Sequence, residues 1–143
     1  MCCQLIFDSL KGIFFLFSTN LYSFEITGDK VNLSGKITSI TLKDGKGIIN
    51  VVSDNEKYGK TWLTYNLKLS NPNSPDQGSF YGRATAINKD GSRASASRQG
   101  VWSREGSIYS FLSLDDVSDG NQYLCITEMD VNTDQVEMRF YAK

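Results

Sequence analysis

The chain has 143 residues, 15 of them basic and 16 acidic, with a net charge of −1 and a pI near 5.4. That length suits one domain around one core, and the charge balance leaves no basic excess to neutralise a phosphate backbone or an anionic membrane surface, so nucleic acid is not an expected partner. Histidine is absent, which removes serine-histidine and cysteine-histidine nucleophile pairs and the usual zinc and iron ligand sets; no metal and no cofactor are expected.

Residues 1–20 place Ile6, Leu10, Ile13, Phe14 and Phe17 at helical spacing, and one apolar stripe predicts a short amphipathic helix standing apart from a barrel domain at 21–143. The competing reading is a signal peptide, since Lys11 precedes the apolar run Ile13 to Phe17. That run is short for such a segment, Asp8 interrupts what precedes it, and it is too short to span a bilayer. Cys2 and Cys3 are neighbours and Cys125 falls within a predicted strand, so no disulfide framework is expected and a reducing, cytoplasmic location is preferred.

From Leu21 the period is two. Tyr22, Phe24 and Ile26 alternate with polar residues up to a turn at Gly28-Asp29, and Val31, Leu33, Gly35 and Ile37 follow. A turn at Asp44-Gly45 leads into 47–53, where Ile48, Ile49, Val51 and Val52 break strict alternation and predict a bulge or a strand buried on both faces. Leu63, Tyr65, Leu67 and Leu69 alternate cleanly, and the segment from Asn71 to Asp76, holding both prolines, is a loop.

Three hairpins follow, with tips at Asp90-Gly91, Glu105-Gly106 and Asp119-Gly120, and a last turn lies near Thr133-Asp134. If each tip is a two-residue turn, Ala84 faces Ser97, Phe80 faces Val101, Gln99 faces Leu112, Leu114 faces Cys125 and Thr127 faces Phe140. These residues then share the interior face. The other face holds Arg83 opposite Arg98, Trp102 opposite Tyr109 and Glu128 opposite Arg139, with Tyr81, Phe111 and Asp115. Charges of both signs belong on a solvated or contact surface. The expected fold is all-β: an antiparallel up-and-down barrel of about eight or nine strands, closed because an open sheet of that size leaves edges unpaired.

This face assignment carries the functional expectations. Tyr65, Phe80, Ala84, Ser97, Gln99, Leu112, Thr127, Met129 and Phe140 are candidate ligand-binding residues around an apolar small molecule, with Gln99 and Tyr65 orienting it; small residues crowded at one end leave either a cavity or a tapered packed core. No carboxylate or imidazole stands there as a strong base, so any reaction is an isomerisation or cyclisation driven by restraint, and a carrier is equally consistent. Tyr81, Arg83, Arg98, Trp102, Tyr109 and Phe111 are candidate interface residues, expected to bury themselves in a homo-oligomer, most simply a dimer, or under the 1–20 helix. With the faces inverted, Arg83 and Arg98 would form an anion clamp inside the lumen; a surface network with Glu128 and Asp115 is preferred.

The meander of short strands, the FSTNLYSFEITGD stretch at 17–29 and GSFYG at 78–82 resemble the small barrel families grouped around calycins and allene oxide cyclase. Gly100-Val101-Trp102 lies late in the chain, whereas the lipocalin signature opens the first strand, which argues against a true lipocalin. The resemblance implies binding of an apolar small molecule or cofactor-independent cyclisation, commonly in an oligomer, and assigns no catalytic residue.

Overall fold

The computed structural model describes residues 28–69 and 74–143, and these build one antiparallel meander of eight strands. They are β1 (Lys30–Lys43), β2 (Lys46–Asn55), β3 (Gly59–Lys68), β4 (Gln77–Ile87), β5 (Arg93–Glu105), β6 (Ile108–Val117), β7 (Gln122–Asp130) and β8 (Gln135–Ala142). Each strand pairs with the next, and β8 pairs back onto β1 to close the barrel. The helix expected over 1–20 and the strand expected over 21–27 lie outside the described residues; Lys30–Lys36 pair with β8. Among the described residues, no helix is long and apolar enough to cross a membrane.

Closure depends on β1, which gives Lys30–Lys36 to β8 and Gly35–Lys43 to β2. The register slips between Ile37 and Ser39, and the extra residue, Thr38, bends the strand across the seam as a bulge does. Ile37 N–H leaves the ladder and donates to the Asp134 carbonyl at 2.8 Å, while the Thr38 hydroxyl donates to the Asn50 carbonyl at 3.2 Å. The irregularity expected in 47–53 therefore sits in the partner strand. Strand β2 itself alternates, with Ile49, Val51 and Ser53 inward and Ile48 outward.

The turns decide which side of each strand faces in. Asp44-Gly45 is a two-residue turn as expected, and the next such turn is Gly106-Ser107, because Lys43 pairs with Lys46 and Glu105 with Ile108. At Asp90-Gly91 and Asp119-Gly120 the loops are longer: Ile87 pairs with Arg93 and Asp116 with Gln122. In both, the glycine N–H reaches back to the Asn88 or Val117 carbonyl, and the aspartate Oδ1 accepts the N–H of Ser92 or Asn121 at 2.8 and 2.9 Å. Each is a type I turn followed by glycine at positive φ, 83° at Gly91 and 91° at Gly120, which adds a single residue to the loop.

An added residue reverses every side chain that follows it. The two loops bracket β5 and β6, so these strands are turned over together while β4, β7 and β8 keep their expected sides. Arg98, Trp102, Tyr109 and Phe111 point inward, and Ser97, Gln99, Val101, Leu112 and Leu114 point outward. Arg83 pairs with Ser97, not Arg98, and Glu128 faces Glu137 while Arg139 faces Ile126.

The inverted strands fit because large residues meet glycines. Gly82 lies opposite Arg98, Gly78 opposite Trp102 and Gly100 opposite Phe80. The strands come so close here that a Cβ on Gly100 would lie 1.8 Å from the Leu112 carbonyl oxygen; such glycines let a small barrel coil tightly. Tyr65, Phe80 and Phe111 pack with ring centroids 4.8 to 5.5 Å apart, within the range of favourable ring pairing. Trp102 stacks on Tyr109 at 5.7 Å and donates its indole N–H to the Lys68 carbonyl at 3.2 Å. One half of the barrel is therefore solid.

Candidate functional site

The other half, where β2 ends and β5 begins, holds a half-open cavity of about 110 Å³. Its size follows from four alanines: Ala84 and Ala86 on β4 face Ala96 and Ala94 on β5, so two neighbouring strands contribute, beside Ser95, only methyl groups. Leu33, Leu63, Met138 and Phe140 complete an apolar wall. Asp115 lines the cavity too, although it is 5% exposed.

Beneath the cavity lies Arg98, 1% exposed. Its Nε donates to Asp115 Oδ2 at 2.9 Å, and Nη2 donates to Ser113 Oγ at 3.4 Å and to Cys125 Sγ at 3.5 Å. Ser113 Oγ in turn donates to Asp115 Oδ1 at 2.7 Å. The guanidinium carbon sits 4.6 Å from the centroid of the Tyr65 ring, a cation–π distance, and the Tyr65 hydroxyl lies 3.3 Å from Thr127 Oγ1 and donates to Met138 Sδ at 3.8 Å. Among the described residues, Arg98 Nη1 has no hydrogen-bond partner.

Burying either charge alone would cost several kcal/mol, and the pair persists because each compensates the other. Burial works against the guanidinium's charge, but the Tyr65 phenol and the Asp115 carboxylate outweigh it, holding the group charged beyond its ordinary range. Burial raises the Tyr65 phenol above its usual value despite the arginine beside it. The same desolvation lifts the Cys125 thiol to about 11, with Arg98 acting in the opposite sense. Cys125 is thus a neutral buried thiol at physiological pH, not a nucleophile.

The mouth is bridged. Tyr58, in the β2–β3 turn, donates its hydroxyl to Asp119 Oδ2 in the β6–β7 loop at 2.7 Å and lies 3.3 Å from the Tyr123 hydroxyl. Asn121 Nδ2 donates to the Tyr58 oxygen at 3.3 Å, and Lys57 Nζ donates to the Tyr123 oxygen at 3.4 Å. These two connections stand on opposite sides of an eight-stranded ring, so the contact crosses the opening. Partial burial first, and then the bonds to Tyr123 and Asp119, raise the Tyr58 phenol; the Asn121 N–H and the Tyr58 hydroxyl lower the Asp119 carboxyl.

No family model, curated protein or solved structure matches this chain. The site is therefore read from its own residues. Among the described residues, no three Cys, Asp or Glu side chains gather as a metal would require.

Of the expected ligand-binding residues, Ala84 and Phe140 line the cavity. Tyr65 and Thr127 form the polar layer beneath it, and Phe80 and Met129 belong to the solid half. Ser97, Gln99 and Leu112 are corrected: all three face outward, Leu112 being 46% exposed. Of the expected interface residues, Tyr81 and Arg83 are exposed, whereas Arg98, Trp102, Tyr109 and Phe111 are buried and cannot form an outer patch. The expectation missed Asp115, Ser113, Ala94 and Ala96 because each sits on an inverted strand, and missed Tyr58 because it lies in a turn with no periodicity to place it.

The buried thiol gives a direct check. In a Cys2→Ser/Cys3→Ser variant, a disulfide reagent at pH 8 should release no chromophore from the native chain and one equivalent after denaturation. Rapid native reaction would show that Cys125 is neither buried nor shifted upward.

Proposed function

We propose that the barrel binds a small, largely apolar molecule at its open end. The observation that supports this most is the pairing of an apolar, alanine-walled cavity with a charged pair beneath it: an apolar pocket with few polar groups is the usual form of a small-molecule site. Volume narrows the ligand. About 110 Å³ is close to the ~150 Å³ that accommodates benzene in an apolar cavity and below the ~300 Å³ at which pockets begin to enclose drug-sized molecules. One ring or a short branched chain fits inside, and any remainder lies outside against Tyr58, Tyr123 and Lys57.

The same volume weighs between binding and catalysis. The cyclisation or isomerisation implied by the calycin-like and allene-oxide-cyclase-like resemblance would require a flexible substrate to fold within the lumen, and this cavity takes only part of one. Asp115 is engaged by Arg98 and Ser113, which lowers its value as a general base. Binding is the better-supported activity. Filling the cavity should abolish it: Ala86→Phe is expected to eliminate displacement of a hydrophobic fluorophore, while Leu112→Trp on the outer surface leaves displacement unchanged. The reverse pattern would remove the cavity from function.

A homo-oligomer is proposed on other residues than those first expected. Val101, Leu112 and Ile126 are successive cross-strand neighbours on the outside, flanked by Leu114 and Leu124, and Tyr81 and Leu114 are 66% and 64% exposed. An apolar patch of this kind commonly marks a contact surface. Sedimentation should show a dimer that Leu114→Glu dissociates; a monomeric wild-type chain would refute it.

A further inference from the structure

The polar layer beneath the cavity has both a donor and an acceptor left to satisfy. Each oxygen of Asp115 accepts one bond from the protein, from Arg98 Nε at 2.9 Å and from Ser113 Oγ at 2.7 Å, whereas a carboxylate offers about four acceptor positions. That carboxylate lines the cavity. Arg98 spends Nε and Nη2 on β6 and β7 and keeps Nη1 buried with no partner among the described residues. Arg98 itself does not line the cavity, so the carboxylate is the group of this pair that a bound molecule can reach.

We infer that the molecule bound at the open end carries a neutral hydroxyl, alcoholic or phenolic, which donates to Asp115 while its apolar body fills the alanine-walled cavity. This rests on the binding role proposed above and deepens it. A hydroxyl can give its proton to one of the spare Asp115 acceptor positions without bringing a second charge into the pair. Other chemistries each fail on one count. A carboxylate would be desolvated beside Asp115, and an ammonium beside Arg98, so either charge meets its like inside a pair that is already neutral. A hydrocarbon would cover Asp115 and leave its spare acceptor positions unsatisfied. Water can donate to Asp115 but leaves the methyl wall of Ala84, Ala86, Ala94 and Ala96 hydrated, and a ligand that reproduces water's bond while covering that wall displaces it favourably.

Size agrees with this chemistry, since the cavity of about 110 Å³ suits a single substituted ring, and Asp115 lines it with Arg98 behind that carboxylate. The rim supplies hydroxyls of its own, but those of Tyr58 and Tyr123 are engaged with Asp119, Asn121 and Lys57. Discrimination therefore falls to Asp115.

Isothermal titration of the full chain with toluene, p-cresol, 4-methylanisole and 4-methylbenzoate tests the inference with one apolar body and four head groups. p-Cresol is expected to bind about 10-fold or more tighter than toluene or 4-methylanisole, as a hydrogen bond to a charged group would give, and 4-methylbenzoate is expected to bind weakest. In Arg98→Met/Asp115→Leu the p-cresol preference should vanish while toluene binding persists; if that variant does not fold, the wild-type series decides alone. Similar affinity for toluene and p-cresol would overturn the hydroxyl and leave the binding role standing. Tightest binding by 4-methylbenzoate would overturn it in favour of an anion. Binding of none of the four would overturn the binding role and the hydroxyl together.

Discussion

The ion pair between Arg98 and Asp115 is the constraint on which this barrel depends. Two opposite charges within 2.9 Å of each other, both withdrawn from water, are tolerable only if neither is left alone. They fix β5 and β6 side by side with one face inward, since any slip by one residue would expose the pair and bury Gln99 and Leu114. The guanidinium also reaches Cys125 on β7 and lies over the Tyr65 ring from β3. One side chain thus connects four of the eight strands.

The pair also divides the lumen. On one side, rings from Tyr65, Phe80, Phe111, Tyr109 and Trp102 fill the space, and glycines on facing strands make room for them. On the other, Ala84, Ala86, Ala94 and Ala96 leave the space unfilled. A barrel of eight strands is near the width at which side chains can just fill it, so the choice between methyl and aryl groups at a few positions decides where a cavity exists. The contact of Tyr58 with Asp119 across the mouth limits access from above. Size, polarity and access are therefore set by different residues on different strands.

Much of the architecture was legible in the sequence: the meander, the closed sheet and the inward sides of Leu63, Tyr65, Phe80, Ala84, Cys125 and Met129 follow from period-two alternation and glycine turns. The site was not, and the reason is parity. Asp-Gly fits the two central positions of a tight hairpin turn and equally the end of a type I turn with a trailing glycine, and only the second adds a residue. Within β5, Ala94-Ser95-Ala96-Ser97 gives little hydrophobic contrast between the sides. Within β6, Ile108, Leu112 and Leu114 face out, while Ser113 and Asp115 face in. Alternation pointed the wrong way there because a buried ion pair overrides it. Asn121 and Ser92, each following a glycine and each donating its N–H to the loop aspartate, are the local signal that distinguishes these longer loops.

A double-mutant cycle at Arg98 and Asp115, followed by urea denaturation, tests this account most directly. Asp115→Ala should cost about 3–5 kcal/mol by leaving a buried guanidinium uncompensated, and Arg98→Met/Asp115→Leu should recover most of that loss by replacing both charges with packed apolar groups. If Asp115→Ala instead shifts stability by no more than about 0.5 kcal/mol, as a substitution on the surface would, the pair is not inside the barrel and the inward side of β5 and β6 assigned here is wrong.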